Sequence, residues 1–193
     1  MFILNNFYTD CELKELGLGS LGENVLISRK VSIYNAKSIF IGSNVRIDDF
    51  CILSGKITIG DYIHIAAYSA LYGGDKGIEI QDFANISSRI SIYSISDDYS
   101  GQTMTNPMIP NKFKNVKSEK VIIERHVIIG AGCIILPGVV LKEGSAFGSM
   151  TLINKNSEPW SINVGIPFKK IKDRSDKLIQ LEKKLVGGIK KNE

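Results

Sequence analysis

Residues 123–153 read IERHVIIGAGCIILPGVVLKEGSAFGSMTLI, with a large apolar residue at every sixth position. These positions hold Ile123, Ile129, Ile135, Leu141, Phe147 and Ile153, and the residues four places after the first five are Val127, Cys133, Val139, Ser145 and Thr151. A period of six fits neither the helical period of about 3.6 nor the simple alternation of a strand. It predicts a short strand, a corner and another short strand. Three such hexads complete one coil of a parallel β-helix.

The same period covers most of the preceding chain. Its large residues are Leu21, Ile27 and Ile33, then after a slip of two residues Ile41, Ile47, Leu53, Ile59, Ile65 and Leu71, and later Ile80, Ile86 and Ile92. Two segments break the register. Residues 72–79 contain three glycines and predict a small bulge at a corner. Residues 97–120 are polar, contain proline and are too long for a simple connector, which is typical of a functional loop on a rigid scaffold.

The two ends of the chain depart from the repeat. Residues 1–20 carry a short helical pattern with Thr9 or Asp10 as N-cap, and we expect them to cap the open end of the β-helix. The β-helix domain spans residues 21–168, and the tail spans residues 169–193. The predicted fold is therefore all-β, with one helix at each end.

The overall composition is that of an ordinary folded chain. In 193 residues, 44% are hydrophobic and 23% are charged, which argues against disordered and membrane classes. The N-terminal segment lacks the pattern of a signal peptide or a membrane span, so we expect a cytoplasmic protein without a membrane partner. Three cysteines, an odd number, fit a reducing compartment.

The net charge of +4 is concentrated in the tail. Residues 169–193 hold nine Lys or Arg against four Asp or Glu, and the rest of the chain is nearly neutral. This distribution argues against nucleic acid and favours a small, multiply phosphorylated ligand near the tail, although a solvated helix accounts for some of the lysines. We predict that helix from about Ser175 to Val186, with Gly187 and Gly188 as its terminator.

Several motifs carry a family resemblance. The segments IGDYIH (59–64), IGAGCI (129–134), LPGVVL (136–141) and GIPFKKIKDR (165–174) resemble the left-handed β-helix acyltransferases of the hexapeptide-repeat superfamily. The segment NISSRISIYSISDDYSG (85–101) resembles sugar acyltransferases of surface-polysaccharide and nucleotide-sugar pathways. The resemblance implies a left-handed coil and a homotrimer with active sites between subunits. It also implies acetyl-CoA, or another short acyl-CoA, as the donor.

The resemblance further implies where the CoA lies. Its pantetheine arm would follow the later coils, where small residues let backbone amides reach it. These residues are Gly130, Ala131, Gly148 and Ser149. Corner geometry explains the glycines equally well. The phosphates would meet Lys169 and Lys170, with Lys172 or Arg174 as further candidates.

The residue type of the catalytic base distinguishes hydroxyl acceptors from amine acceptors. Many O-acetyltransferases of the superfamily have a histidine at the start of the mid-helix loop, and that register holds Asp97 here. An alcohol needs such a base, whereas an amine with a pKa near ~8 is partly free base at neutral pH. Asp97 and Asp98 are therefore predicted to orient the amine and accept its proton, with Glu119 as a third catalytic carboxylate. The alternative for the two aspartates is a polar turn.

The acceptor site is predicted beside this loop. A backbone N–H group or the hydroxyl of Ser87 or Ser88 would stabilise the developing oxyanion. Sugar and nucleotide would contact the bulge together with Arg89, Tyr93 and Tyr99.

The sequence therefore predicts an acyl-CoA-dependent N-acyltransferase that acts on a nucleotide-linked amino sugar, such as a dTDP-amino-dideoxyhexose, by direct attack in a ternary complex. One alternative is an O-acetyltransferase of polysaccharide biosynthesis with His64 as base, although an interface hydrogen bond also explains His64. We expect His126 mid-face, at the surface or an interface. A non-catalytic scaffold is a third possibility. A β-helix carbonic anhydrase needs three histidines per zinc, so we expect no metal.

Overall fold

The protein is a three-sided prism of parallel coils. The computed structural model describes residues 6–189, and the first five and last four residues of the predicted cap and tail lie outside this range. The first face contains Ser20–Leu21, Ile39–Ile41, Val121–Ile123 and Val140–Leu141. The second contains Val25–Ile27, Val45–Ile47, Ile63–Ile65, Asn85–Ile86, Ile128–Ile129, Ala146–Phe147 and Ser161–Val164. The third contains Ser32–Tyr34, Ser91–Tyr93, Ile134–Ile135 and Leu152–Ile153.

Two longer strands turn a corner and join the third face to the first. They are Ile52–Ile59 and Ala70–Ile80, and they pair with each other along both faces. The predicted bulge at residues 72–79 lies within the second of them, as a shift of register opposite Gly55. Glycine is required there because a Cβ atom on Gly73 would meet the backbone of Lys56, and one on Gly74, at φ +49°, would meet Ile95.

The interior of the prism is filled as the six-residue period predicts. Large side chains such as Ile65 and Leu141 are completely buried along the axis, and Cys51 and Cys133 fill the small positions beside them. Each fully buried aliphatic side chain contributes roughly 1.5–3 kcal/mol to folding. The stack of these side chains is therefore what holds neighbouring coils in register.

The corners are made by residues in the left-handed backbone conformation. The corner between the first and second faces consists of Asn24, Asn44, Tyr62, Phe83, His126, Gly144 and Trp160, all with positive φ. From Asn44 onward, their N–H groups donate to carbonyls of the preceding coil, as from Phe83 to Asp61 at 2.9 Å. Rings stack along this corner, with centroids 4.9 Å apart between Tyr62 and Phe83 and 5.1 Å apart between Phe83 and His126.

The N-terminal helix α1, Asp10–Glu15, closes one end of the prism as predicted. Thr9 is its N-cap, and Thr9 and Glu12 form a reciprocal capping box. Its Leu13 is buried against the first coil, and Arg29 pairs with Glu12 at 2.6 Å. Helix α1 thus covers the apolar interior at this end of the prism. The slip of two residues in the early register corresponds to a 3₁₀ turn, Ala36–Ser38.

The C-terminal segment folds back over the other end. A strand, Lys169–Asp173, pairs antiparallel with Ser161–Val164, and helix α2, Leu178–Ile189, follows. The predicted helix boundaries are wrong, because α2 begins later and continues through Gly187. A glycine disfavours a helix interior by only about 1 kcal/mol, which does not suffice to end it. No helix within residues 6–189 is long and apolar enough to cross a membrane.

The long loop leaves the third face through a small antiparallel ladder. Ile95–Ser96 pairs with Lys117–Ser118 at its base. Farther out, the loop contains a 3₁₀ turn, Asn111–Phe113, and a bridge between Met104 and Lys114. The loop is therefore an ordered arm beside the prism.

Candidate active site

The loop and the third face enclose a groove of about 680 Å³. Its lining includes Tyr72, Tyr93 and Ile134 from the third face and Asp97, Asn106 and Lys114 from the loop. The wall on the prism side is largely aromatic and aliphatic, whereas the loop side carries both charges. This arrangement can hold an elongated molecule with a flat apolar part and charged groups.

The aromatic wall follows directly from the coil register. Tyr72 and Tyr93 occupy the same outward position in successive coils, one residue after the buried Leu71 and Ile92. Their ring centroids lie 5.1 Å apart and the planes differ by 16°. Such stacking is favourable, and it lines the groove with two adjacent aromatic rings.

The two aspartates of the loop have different surroundings. Asp98 accepts hydrogen bonds from the Ser100 N–H at 2.8 Å, the Ser100 hydroxyl at 2.9 Å and the Thr103 hydroxyl at 2.8 Å. The bond from the Ser100 backbone, followed by those from the two hydroxyls, lowers the pKa of Asp98. Asp98 thus organises the turn. Asp97 accepts one long bond, from the Asn106 N–H at 3.4 Å, and lines the groove with acceptor capacity to spare.

Glu119 lies at the other end of the loop. Its carboxylate is 3.4 Å from the ammonium of Lys117 and is half exposed. It lines a second groove, of about 640 Å³, together with Asp97 and Asp98. The structure therefore brings the three predicted carboxylates to one region, with Asp97 at both grooves.

The two histidines lie elsewhere. His64 is on the second face, where its Nε2 atom lies 2.8 Å from a carboxylate oxygen of Asp48. His126 is a corner residue rather than a mid-face one, and it is only 7% exposed, so the predicted surface position is wrong. It is buried because α2 covers this corner, and its Nε2 atom lies 2.7 Å from Glu182.

Glu182 of α2 connects the helix to this corner. Burial opposes its ionisation, but hydrogen bonds from His126 and Arg125 outweigh it and lower the pKa of Glu182. Arg174 adds a second connection, donating to the carbonyls of His126 and Gly144, each at 2.9 Å. The Nη1 atom of Arg174 is thus engaged by the backbone, and the phosphate contact suggested for Arg174 stays a prediction.

The predicted acceptor residues fall into two groups. Tyr93 and Tyr99 both line the main groove, and Tyr99 is 93% exposed. Ser87, Ser88 and Arg89 lie at the corner between the second and third faces, outside that lining. At this corner Arg89 has a positive φ and its guanidinium lies over the ring of Tyr68.

The small residues predicted to line the CoA site lie where successive coils approach closely. A Cβ atom on Gly130 would lie 2.6 Å from the amide nitrogen of Ser149, and one on Gly148 would lie 2.8 Å from Val164. Close coil stacking therefore requires glycine at position 130, where the obstacle is backbone, whereas at position 148 the obstacle is a side-chain methyl group. Ala131 is half-buried and Ser149 is exposed beside them.

The two tail lysines differ in their contacts. Lys169 is exposed on the antiparallel strand. Lys170 lies 2.7 Å from both Asp173 and Glu158, and its bonds to these two carboxylates raise its pKa. Lys170 is thus partly neutralised within the chain.

Sequence reasoning missed Tyr72, Asn106 and Lys114. Tyr72 could have been found, because it holds the same hexad position as Tyr93. The other two lie in the loop, where no period marks them. Among residues 6–189, no three His, Cys, Asp or Glu side chains converge as a metal site requires.

The chain is similar to characterised proteins over nearly its whole length. It is 51% identical over 179 residues to an Escherichia coli dTDP-4-amino-4,6-dideoxy-D-glucose acyltransferase, covering 91% of this chain and 93% of that protein. AntD, an N-acyltransferase from Bacillus cereus solved with dTDP and 3-hydroxybutyryl-CoA, matches with a TM-score of 0.95 and 56% identity, over 97% of this chain and 100% of AntD. No profile of a known protein family matches the chain.

Further structures of AntD carry substitutions at an aspartate and at a serine ten positions before it. The aspartate variant is bound to dTDP and Coenzyme A, and a serine variant to dTDP-4-amino-4,6-dideoxyglucose and Coenzyme A. A hexapeptide-repeat acetyltransferase from Vibrio cholerae matches with a TM-score of 0.52 and 19% identity, over 86% of this chain and 80% of that one, and shows the fold alone.

Proposed function

Because the chain belongs to the family of the dTDP-4-amino-4,6-dideoxyglucose N-acyltransferases, we propose that it transfers a short acyl group from CoA to the amino group of a dTDP-linked amino-dideoxyhexose. Membership of this family confirms the predicted left-handed β-helix and the prediction of an acyl-CoA-dependent acyltransferase. The sugar and the acyl group are part of the proposal.

The observation that carries the proposal is the position of Asp97 at the rim of a groove with an aromatic wall. A thymine base is flat and apolar on its faces, which suits the stacked rings of Tyr72 and Tyr93. An amino group suits a carboxylate with free acceptor capacity. A sugar hydroxyl would instead require a stronger base in the same place.

The substituted positions of AntD support Asp97 as the base. Three serine–aspartate pairs in this chain have the same ten-residue spacing. Two end in the loop, Ser87 with Asp97 and Ser88 with Asp98, whereas the third, Ser38 with Asp48, lies away from it. The carboxylate of Asp98 is occupied by three loop hydrogen bonds, whereas that of Asp97 faces the groove. We therefore assign catalysis to the first pair.

The reaction needs no covalent intermediate on the protein. The lone pair of the amine attacks the thioester carbonyl, and Asp97 takes the proton lost by nitrogen. The C–S bond then breaks, and the departing thiolate receives that proton from Asp97, directly or through water, so that CoA leaves as the thiol. Ser87 is the proposed donor to the oxyanion. The buried cysteines are unsuited as nucleophiles, because burial raises the pKa of Cys51 to about 11 and also raises that of Cys133.

We also propose that the active enzyme is a homotrimer. Ser87, Ser88 and Arg89 lie outside the groove of their own chain, and a neighbouring chain packed against the loop would bring such corner residues to it. A mass of three chains in light scattering is the expected result. A monomer that retains full activity would contradict this assembly. We place the enzyme in the cytoplasm, in the biosynthesis of a surface polysaccharide.

The test compares two acceptors that differ in one group. The purified protein receives acetyl-CoA or 3-hydroxybutyryl-CoA with either dTDP-4-amino-4,6-dideoxyglucose or the matching dTDP-6-deoxyglucose, which carries a 4-hydroxyl. We expect thiol release with the amino sugar alone. Comparable release with the hydroxyl sugar would overturn N-acylation and favour the O-acetyltransferase. No release with either sugar would overturn the proposed substrate.

A further inference from the structure

The lysines of the loop are not equivalent. Lys117 and Lys120 are exposed and lie 3.4 Å from Glu119 and 2.5 Å from Glu79, respectively. The ammonium of Lys112, also exposed, lies over an aromatic ring. Each of these cations has a partner within the loop or at its base, so none of them needs a ligand to explain its position.

Lys114 is the half-buried lysine of the loop, and it lines the main groove. Two contacts hold its backbone in place. Its N–H donates to the carbonyl oxygen of Asn111 at 3.0 Å, and its backbone forms an isolated β-bridge with Met104. Its Nζ atom donates to the carbonyl oxygen of Asn106 at 3.2 Å. Within the described residues, no carboxylate lies at ion-pair distance from this ammonium.

The backbone of Asn106 hydrogen-bonds to two side chains of opposite charge at the groove. Its N–H donates to Asp97, and its carbonyl oxygen accepts from Lys114. An ammonium has three N–H donors, so two donors of Lys114 remain for another acceptor. The groove thus presents a free carboxylate and a free cation on either side of one residue.

This pattern matches the charges of a nucleotide-linked amino sugar. Such a molecule carries an amine at the sugar, a dianionic diphosphate next to it and a flat base beyond. Resting on the function proposed above, we infer that Lys114 binds the diphosphate while Asp97 binds the amine. Lysine is suited to phosphate as a compact charge with several donors. Because the carboxylate and the ammonium bind different parts of the ligand, their order along the groove sets the direction in which the sugar nucleotide lies.

Titration calorimetry on the full-length protein tests the assignment. The ligands are dTDP, thymidine and CoA, and the variants are Lys114→Met, Lys114→Arg and the matched control Lys112→Met. We expect Lys114→Met to weaken dTDP about 10-fold, the loss of one charge-assisted hydrogen bond. Thymidine and CoA should bind each variant as they bind the wild type. Lys114→Arg should keep dTDP affinity within about threefold, because it keeps the charge.

Three results would overturn the inference. One is unchanged dTDP affinity in Lys114→Met. Another is an equal loss for dTDP and thymidine, which would mean that the lysine only shapes the loop. The third is a loss for CoA in place of dTDP. If any of these three results is found while the wild type turns over the amino sugar, only the inference about Lys114 is refuted and the proposed function stands. A wild type that neither binds dTDP nor releases thiol refutes the proposed function itself.

Discussion

The prism and the loop are ordered by different forces. In the prism, large aliphatic side chains such as Ile65 and Ile86 are completely buried, and each coil repeats the contacts of the one below. In the loop, Tyr99 is 93% exposed and Met108 is 88% exposed, and the turn depends on the hydrogen bonds that Asp98 accepts. Apolar packing fixes the frame, and local polar bonds fix the groups that meet the substrate. Substitutions in the two regions should therefore affect different measurements.

Asp97→Asn should give the largest difference between its effect on activity and its effect on stability. Loss of the base should lower kcat/KM for the amino sugar by about 10²- to 10⁴-fold. The melting temperature should stay unchanged, since the side chain of Asp97 accepts one long hydrogen bond from residues 6–189. Thiol release and a thermal melt measure the two quantities. Activity within tenfold of the wild type would remove Asp97 from the chemistry.

Ile65→Ala should produce the opposite result. Truncating this fully buried side chain should reduce the free energy of unfolding by about 2–5 kcal/mol, because a cavity remains on the axis. Urea denaturation measures the loss, and kcat/KM should persist wherever the variant is folded. Met108→Ala in the loop is the control, with an expected change below about 0.5 kcal/mol. Equal destabilisation by the two variants would contradict the proposed difference between the packed prism and the exposed loop.

Asp98→Asn should affect the loop without abolishing catalysis. The amide keeps one acceptor oxygen but loses the charge that strengthens the bonds from Ser100 and Thr103. We expect kcat/KM to fall about 3- to 10-fold and the Ser100 amide to exchange its hydrogen faster by a similar factor. A loss as large as that of Asp97→Asn would mean that both aspartates take part in the chemistry.

The pH dependence of the loop provides a finer test. The pKa of Asp98 is lowered in the folded protein, first by the Ser100 backbone bond. The carboxylate therefore stabilises the loop fully above the ordinary pKa of an aspartate, about 3.9, and loses this effect as the pH falls through the lowered value. The Ser100 amide signal in NMR should titrate with a midpoint below the ordinary pKa. A midpoint at or above it would show that the turn does not depend on this charge.

The smallest effect is expected for His64→Ala. His64 lies on the second face beside Asp48, and its side chain does not line the main groove. We expect kcat/KM to change by less than about twofold, within the usual range for a surface substitution. A loss comparable to that of Asp97→Asn would transfer the base to the histidine and revive the hydroxyl acceptor.

The sequence predicts the prism well because its signal is periodic. Ile65 and Leu141 are buried at the axis as the six-residue period requires, and the two breaks in register coincide with the glycine bulge and the long loop. The family resemblance pointed to Asp97 at the start of the loop, and this residue lines the groove; its catalytic role stays a prediction. The sequence reasoning misplaced His126, because a positive φ turns the residue into a corner that α2 then covers.

The loop's interior could not be predicted in the same way. Asn106 and Lys114 meet through a single hydrogen bond between residues eight positions apart, with no period to reveal it. The corner residues Ser87 and Arg89 pose a different problem. Their proposed contact with substrate depends on a neighbouring chain, which the sequence of one chain does not position.

The reversed strand Lys169–Asp173 has a consequence for solubility. A coil of parallel strands could in principle accept another strand at its last turn without limit, as a growing fibre does. Here the chain itself pairs in the antiparallel direction with the last strand of the second face, and the new edge of that face carries Lys169, Lys170 and Lys172. Charged residues on an edge strand disfavour pairing between molecules. The segment predicted to meet the phosphates of CoA is thus also expected to disfavour end-to-end association of the prisms.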